Sequence, residues 1–144
     1  MSHSRIIQVS RNRAKGMKVD GLNIDMLRAE IDNLDYVIDS DSSREEDMEW
    51  LKQELSRVGF SLDGEKINIG TSDSFLKKWK EEAIEAAEDL DLCKIREIGS
   101  GSYFSKFYIF DKEVGYPVSL WCWAKEVFGK DETYYVRAFF DYHF

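Results

Sequence analysis

Several short stretches of this 144-residue chain combine residue types that could do chemistry. Ile98-Gly99-Ser100-Gly101-Ser102-Tyr103 has the two-glycine opening of a loop that covers nucleotide phosphates. Such a loop needs a third glycine for close backbone approach, a lysine on the following strand and acidic metal ligands downstream. Here the third-glycine position is Phe104, and only 40 residues follow it. The pattern therefore predicts a flexible hairpin turn. Asp39-Ser40-Asp41-Ser42-Ser43-Arg44-Glu45 opens like a calcium loop, whose sixth position must be glycine and whose twelfth must be a bidentate glutamate. Those positions hold Arg44 and Trp50, which leaves a helix-capping turn as the reading.

His3 and His143, at opposite ends of the sequence, have no second histidine or cysteine at the short spacing that zinc sites use. Cys93 and Cys122 likewise form no ligand spacing and no disulfide framework, and both are expected as buried thiols in strands. A triad of Cys122, His143 and an acid can be drawn only on paper. The many carboxylate pairs would need one member in an apolar site with a raised pKa to act as acid and base. Asp32, Asp35 and Asp39 instead flank an apolar stripe, as residues of a solvated face do. No catalytic residue, metal or cofactor is expected.

Charge is more informative than any motif. Residues 1–19 contain Arg5, Arg11, Arg13, Lys15 and Lys18 and no acid, whereas residues 20–50 carry eleven acids against Arg28 and Arg44. That 31-residue stretch alone has a net charge of −9, more than the −8 of the whole chain. A solvated helix normally mixes both signs and gains from their pairing. Two arrangements would relieve the repulsion: the basic arm folds back over the acids, or a positively charged partner docks there. Asp32, Asp35, Asp39, Asp41 and Glu45 are the candidate contact residues.

Aromatic residues crowd the other end, with 15 of the 20 in residues 103–144. If 117–124 is a strand, Val118, Leu120 and Cys122 share one face, and Trp121 and Trp123 share the other. On the last strand Val136, Ala138 and Phe140 alternate with Tyr135, Arg137 and Phe139. Both faces are then apolar, and Trp121, Trp123, Tyr135 and Phe139 become a candidate ligand or homodimer face. Stacking of single-stranded nucleic acid would need a basic groove, and the five basic and six acidic residues of 103–144 do not provide one.

The elements that would position these residues follow from periodicity. Arg5–Val9 predicts a first strand within the basic arm of 1–19. Asn23 can cap a helix whose apolar stripe runs Ile24, Leu27, Ile31, Leu34, Ile38, although Tyr36-Val37-Ile38 also suits a strand. Ser43 and Glu46 form a capping box for a second helix with stripe Met48, Leu51, Leu55, Val58, ended by Gly59. Phe60–Leu62 and Ile67–Ile69 form a hairpin over Asp63-Gly64. A third helix over Asp73–Leu90 would bury Phe75, Leu76, Trp79, Ala83, Ala87 and Leu90. Strands are expected at Leu92–Ile98, Tyr103–Asp111, Pro117–Ala124 and Thr133–His143.

The expected architecture is one α+β domain over 1–144, in two layers, with about three helices on a mainly antiparallel sheet that ends in a β-meander. Its acidic, mainly helical part is 20–90 and its aromatic-rich strands are 91–144. No run of about 18 apolar residues and no secretory leader are seen, so a cytoplasmic protein without membrane contact is expected. Size and charge suit a non-enzymatic protein-binding domain of the small acidic inhibitor, immunity or anti-defence type. Such a domain would present its acidic surface to a basic protein. The alternative is a small-molecule or peptide sensor using the aromatic face.

Overall fold

The computed structural model describes residues 3–11, 18–19, 22–100, 107–130 and 132–144. Among these residues the order of elements is β1 (His3–Ser10), α1 (Ile24–Glu30), β2 (Tyr36–Asp39), α2 (Arg44–Ser56), β3 (Ser61–Asp63) and β4 (Lys66–Asn68). It continues with α3 (Ser72–Glu88), α4 (Leu92–Ser100), β5 (Tyr108–Asp111), β6 (Pro117–Ser119), α5 (Leu120–Val127) and β7 (Tyr134–His143). The strands make one mixed sheet in the order β3-β4-β7-β1-β5-β6, with β2 also on β7. The fold is therefore α+β, but the sheet is mixed and not a C-terminal meander. The described residues form five helices rather than about three in a simple two-layer, antiparallel arrangement. The last strand returns beside the first, and β1 runs parallel to β5.

The ten-residue β7 organises this sheet. One of its edges pairs with β1 from His3–His143 to Ser10–Tyr135. Its other edge is shared, β2 taking Phe140–His143 and β4 taking Tyr134 and Tyr135. Ile7 pairs with Phe139 but Val9 pairs with Val136, so Arg137 and Ala138 both stand opposite Gln8. This bulge resets the alternation of side chains. Val136 and Phe139 consequently enter the same core, whereas simple alternation puts them on opposite faces.

Between the segments held by β2 and β4, a side chain replaces a strand. Ser40 N–H donates to the Phe139 carbonyl at 3.1 Å, and Val136 N–H donates to the Glu65 carbonyl at 2.8 Å. In the interval, the Arg44 guanidinium donates to the carbonyls of Val136 and Arg137 and pairs with the Glu65 carboxylate at 3.1 Å. Arg44 is placed there as the first residue of α2, capped by Ser43, whose hydroxyl accepts from Glu46 N–H as the capping box predicts.

Both faces of the sheet are covered. Leu51 and Leu55 of α2, Phe75 of α3 and Leu120, Trp123, Ala124 and Val127 of α5 pack on Ile7, Val9, Ile109 and Val136. On the opposite face Leu27 of α1, with Ile31 and Leu34 after it, packs on Ile6, Phe110, Phe140 and Tyr142. The apolar second face is thus core rather than free surface, although the helix over it is only seven residues long. Gln8 fastens the chain that leads into that helix, since its side-chain amide donates to and accepts from the backbone of Val19.

Three expectations about elements are corrected. The stripe through Ile38 does not continue as helix: α1 stops at Glu30, Asn33 takes φ 60, and Tyr36–Asp39 pairs with β7. Ladder bonds to β7 outweigh the helical spacing of the last apolar positions. Leu92–Ile98 is helix, not strand, because Asp91 caps it by accepting from Lys94 N–H at 3.0 Å. Gly99 accordingly lies in a helix instead of a hairpin turn, and Gly101–Tyr103 lie outside the described residues. Pro117–Ala124 is strand only to Ser119, whose hydroxyl accepts from Cys122 N–H and opens α5.

The predicted hairpin and third helix form as read, but the buried face of α3 is rotated. Phe75, Trp79 and Ala86 face inward, whereas Leu76 and Leu90 are 48% and 81% exposed. Gly59 (φ +79) and Gly70 allow the exit of α2 to touch the entry of α3. A Cβ on Gly70 would sit 2.4 Å from the Gly59 carbonyl oxygen.

Two measurements check this account. Leu27→Ala is expected to cost about 2–5 kcal/mol in urea unfolding, while Ile24→Ala on the outside of the same helix costs little. Equal, small effects would mean that α1 does not complete a core. Arg44→Met is expected to lose about 1.5–3 kcal/mol, because a charged donor is removed from the carbonyls of Val136 and Arg137. An unchanged urea midpoint would show that the stitch carries no stability.

Candidate functional site

The acidic stretch runs from the end of α1, through β2, to the start of α2. Asp32, Asp35, Asp39, Asp41 and Glu45 are all exposed. None of them takes part in an ion pair among the described residues, although Asp25 and Asp47 do. Asp25 lies 3.9 Å from Arg28, and buried Asp47 lies 3.5 Å from Arg5. Arg28 reaches the Asp35 backbone carbonyl, leaving that carboxylate to solvent. Among the described residues, the strand between these acids pairs only with β7. Its other edge is open among the described residues, with Tyr36 39% and Ile38 46% exposed.

Among the described residues, the basic arm makes no ion pair with these five acids. Arg5 extends over the ring of Trp50, 4.3 Å from its centroid, and its charge is shared between Asp47 and, at 3.9 Å, Asp141 of β7. Arg11 turns to the far end of the sheet. Lys18 shares a cleft of about 280 Å³ with Asp39, Ser42, Arg44 and Asp47, and its ammonium sits over the Phe140 ring at 5.2 Å. Arg13 and Lys15 lie outside the described residues.

At that far end, where β1 and β5 finish and β7 begins, four polar residues interlock. Arg11 is 3.3 Å from both Asp111 and Glu132, and the Tyr134 hydroxyl donates to Glu132. Asp111, nearly fully buried, also accepts from Glu113 N–H and so shapes the turn after β5. Tyr134's hydroxyl, together with Arg11 and Lys130, holds the Glu132 carboxyl below its ordinary range. Burial and the bond to Glu132 push the Tyr134 phenol up, so it remains a donor. Every charge here is answered by another, which suits structure better than acid–base work.

The aromatic candidates do not share a surface. Trp121 and Trp123 lie on α5 rather than on a strand; Trp123 is buried against Phe60 and Tyr134, and Trp121 packs on Phe75. Phe139 is in the same core beneath Arg44, and Tyr135 is half-buried on β7. Both cysteines are exposed on helices, contrary to expectation. The histidines, remote in sequence, are brought together by β1 and β7. His143 stacks on Tyr36 at 4.2 Å between ring centroids, with His3 at 5.9 Å. No group of three metal-binding side chains occurs among the described residues, and no helix there is long and apolar enough to cross a membrane.

One grouping was not legible in the sequence. Tyr108 of β5 and Tyr142 of β7 meet across β1, with Phe144 beyond and Glu30, Ile31, Asp32 and Asn33 alongside, around a cleft of about 370 Å³. Its residues come from three distant segments with no shared motif, and only strand order joins them. Burial, then the charges of Asp32 and Glu30, push the Tyr108 phenol up.

Tyr134→Phe tests the polar network. A carboxyl with a lowered folded pKa adds stability above its unfolded value of about 4.3. That stability is lost as pH falls through the folded value. The variant should be less stable than the parent at neutral pH, with the gap closing as pH falls below about 4.3. A gap that persists unchanged under acid would sink the assignment. No protein-family model, curated protein sequence or solved structure is significantly similar to this chain.

Proposed function

We propose that the chain is a non-enzymatic protein-binding domain that presents its acidic stretch to a basic protein. The observation that carries this reading is the set of five exposed carboxylates, Asp32, Asp35, Asp39, Asp41 and Glu45, with no ion-pair partner among the described residues. Within the same stretch Asp25 and Asp47 do have arginine partners, so these five contrast with acids a few positions away. Like charges held together at a surface repel one another and destabilise the compact state. A partner of opposite sign relieves that repulsion and is steered to the surface over roughly one Debye length, about 8–10 Å at physiological salt. The exposed Tyr36 and Ile38 lie between the acids and offer apolar contact at the same place. Small acidic inhibitors, immunity proteins and anti-defence proteins work by this combination.

The test compares two sets of neutral substitutions against a panel of basic proteins and lysine-rich peptides. One variant carries Asp32→Asn, Asp35→Asn, Asp39→Asn, Asp41→Asn and Glu45→Gln. The other carries Glu81→Gln, Glu85→Gln and Glu88→Gln on the exposed side of α3. The first should weaken binding by about tenfold or more at low salt and flatten its salt dependence, while the second leaves a tight binder nearly unaffected. Equal losses from both sets, or none from either, would leave only non-specific attraction to a negative protein.

A further inference from the structure

We infer that the cleft bounded by Tyr108, Tyr142 and Phe144 receives an alkylammonium group, a lysine side chain of the basic partner, with Glu30 and Asp32 as its counter-charges. The inference rests on the docking reading for the source of the cation, but the site itself stands on its own geometry. The rings of Tyr108 and Tyr142 meet at 63° with centroids 5.9 Å apart, and those of Tyr142 and Phe144 at 31° and 5.5 Å. The three rings line the same cleft, and the electron-rich faces of such rings attract a cation lying within about 6 Å. The cleft can form because Ser4 and Ile6 of β1 separate the two tyrosines. Ser4 pairs with Tyr142 and Ile6 with Tyr108. The small Ser4 leaves room for the phenols to approach over it.

Charge decides the ligand class. The described residues that line this cleft include Glu30 and Asp32 and, among them, no lysine or arginine. Both acids are exposed, and neither is in an ion pair among the described residues. They lie close enough to the rings for their charges to act on the Tyr108 phenol. An anion would be repelled, and a neutral ligand would leave two carboxylates unanswered. A bare metal ion would need more converging oxygen ligands than the two acids supply. An alkylammonium satisfies the acids with its charge and the rings with its methylene or methyl groups. Asn33, in the left-handed region at φ 60, reverses the chain after α1 and so keeps Asp32 beside the sheet. Phe144, 45% exposed, stands as the outer lip.

The experiment titrates the isotopically labelled full chain with three probes while following its amide resonances. These are choline, its neutral isostere 3,3-dimethyl-1-butanol, and a lysine-rich peptide. Choline should shift Glu30–Asn33, Tyr108 and Tyr142–Phe144, and the neutral isostere should bind about tenfold more weakly or not at all. Phe144→Ala and Glu30→Gln, both at the rim and outside the core, should each weaken choline and peptide by about three- to tenfold. Equal shifts from the isostere, shifts located elsewhere, or affinities indifferent to both variants would overturn the site. The two readings fail separately. Peptide binding that is lowered by Asp39→Asn with Asp41→Asn but untouched by Phe144→Ala would discard the cleft and keep the docking surface. Choline binding at the cleft, with peptide binding no tighter than choline, would keep the site and discard the docking partner.

Discussion

The structure depends on β7 being paired along both edges. A strand that is hydrogen-bonded on both sides and apolar on both faces has to be covered on both faces. This one is held by β1 on one side and by β2 and β4 on the other, with α2, α3 and α5 packed over one face and α1 over the second. Two short partners rather than one long one leave an interval in the ladder. Arg44 fills it from the first turn of α2, tying the position of that helix to the sheet. The bulge at Arg137 and Ala138 lies in the same interval, so the irregularity and its repair coincide.

Cations are distributed according to the same constraint. Arg5 pairs with Asp141 on β7 and with Asp47 on α2; Arg11 joins the ends of β1 and β5 to the start of β7; Arg44 joins β4 to β7. Each of these arginines bridges elements distant in sequence, and the acids they meet are partly or fully buried. The acids between α1 and α2 have no such duty. They surround a strand with one open edge, and their carboxylates face solvent together. Among the described residues these three arginines are directed at other acids, which leaves the carboxylates of this surface to solvent.

Much of the local structure could be read from residue order. The caps at Asn23 and Ser43, the hairpin over Asp63-Gly64, the body of α3 and the final strand all formed where short-range chemistry placed them. The errors share one cause. Tyr36–Asp39, Leu92–Ile98 and Leu120–Val127 are short and apolar, and such runs suit helix and strand alike. Asp91 and Ser119 were available as capping signals for the two misread helices, but strand-like composition outweighed them. For Tyr36–Asp39 no local signal suffices, because the deciding hydrogen bonds come from residues about a hundred positions later.

By itself the sequence determined which residues would be charged, capped or apolar, and it concentrated eleven acids within one 31-residue stretch. Those properties are local, because they depend on side-chain chemistry and neighbours a few positions away. Tertiary structure alone decided that Asp47 would be buried with Arg5 while Asp32, Asp35, Asp39, Asp41 and Glu45 stayed exposed. It also placed Trp123 and Phe139 inside the core, and it gathered Tyr108, Tyr142 and Phe144 beside Glu30 and Asp32. Those outcomes follow from the order and register of strands. That order is set by long-range hydrogen bonds and by the need to cover two apolar faces at once, which no window along the chain contains.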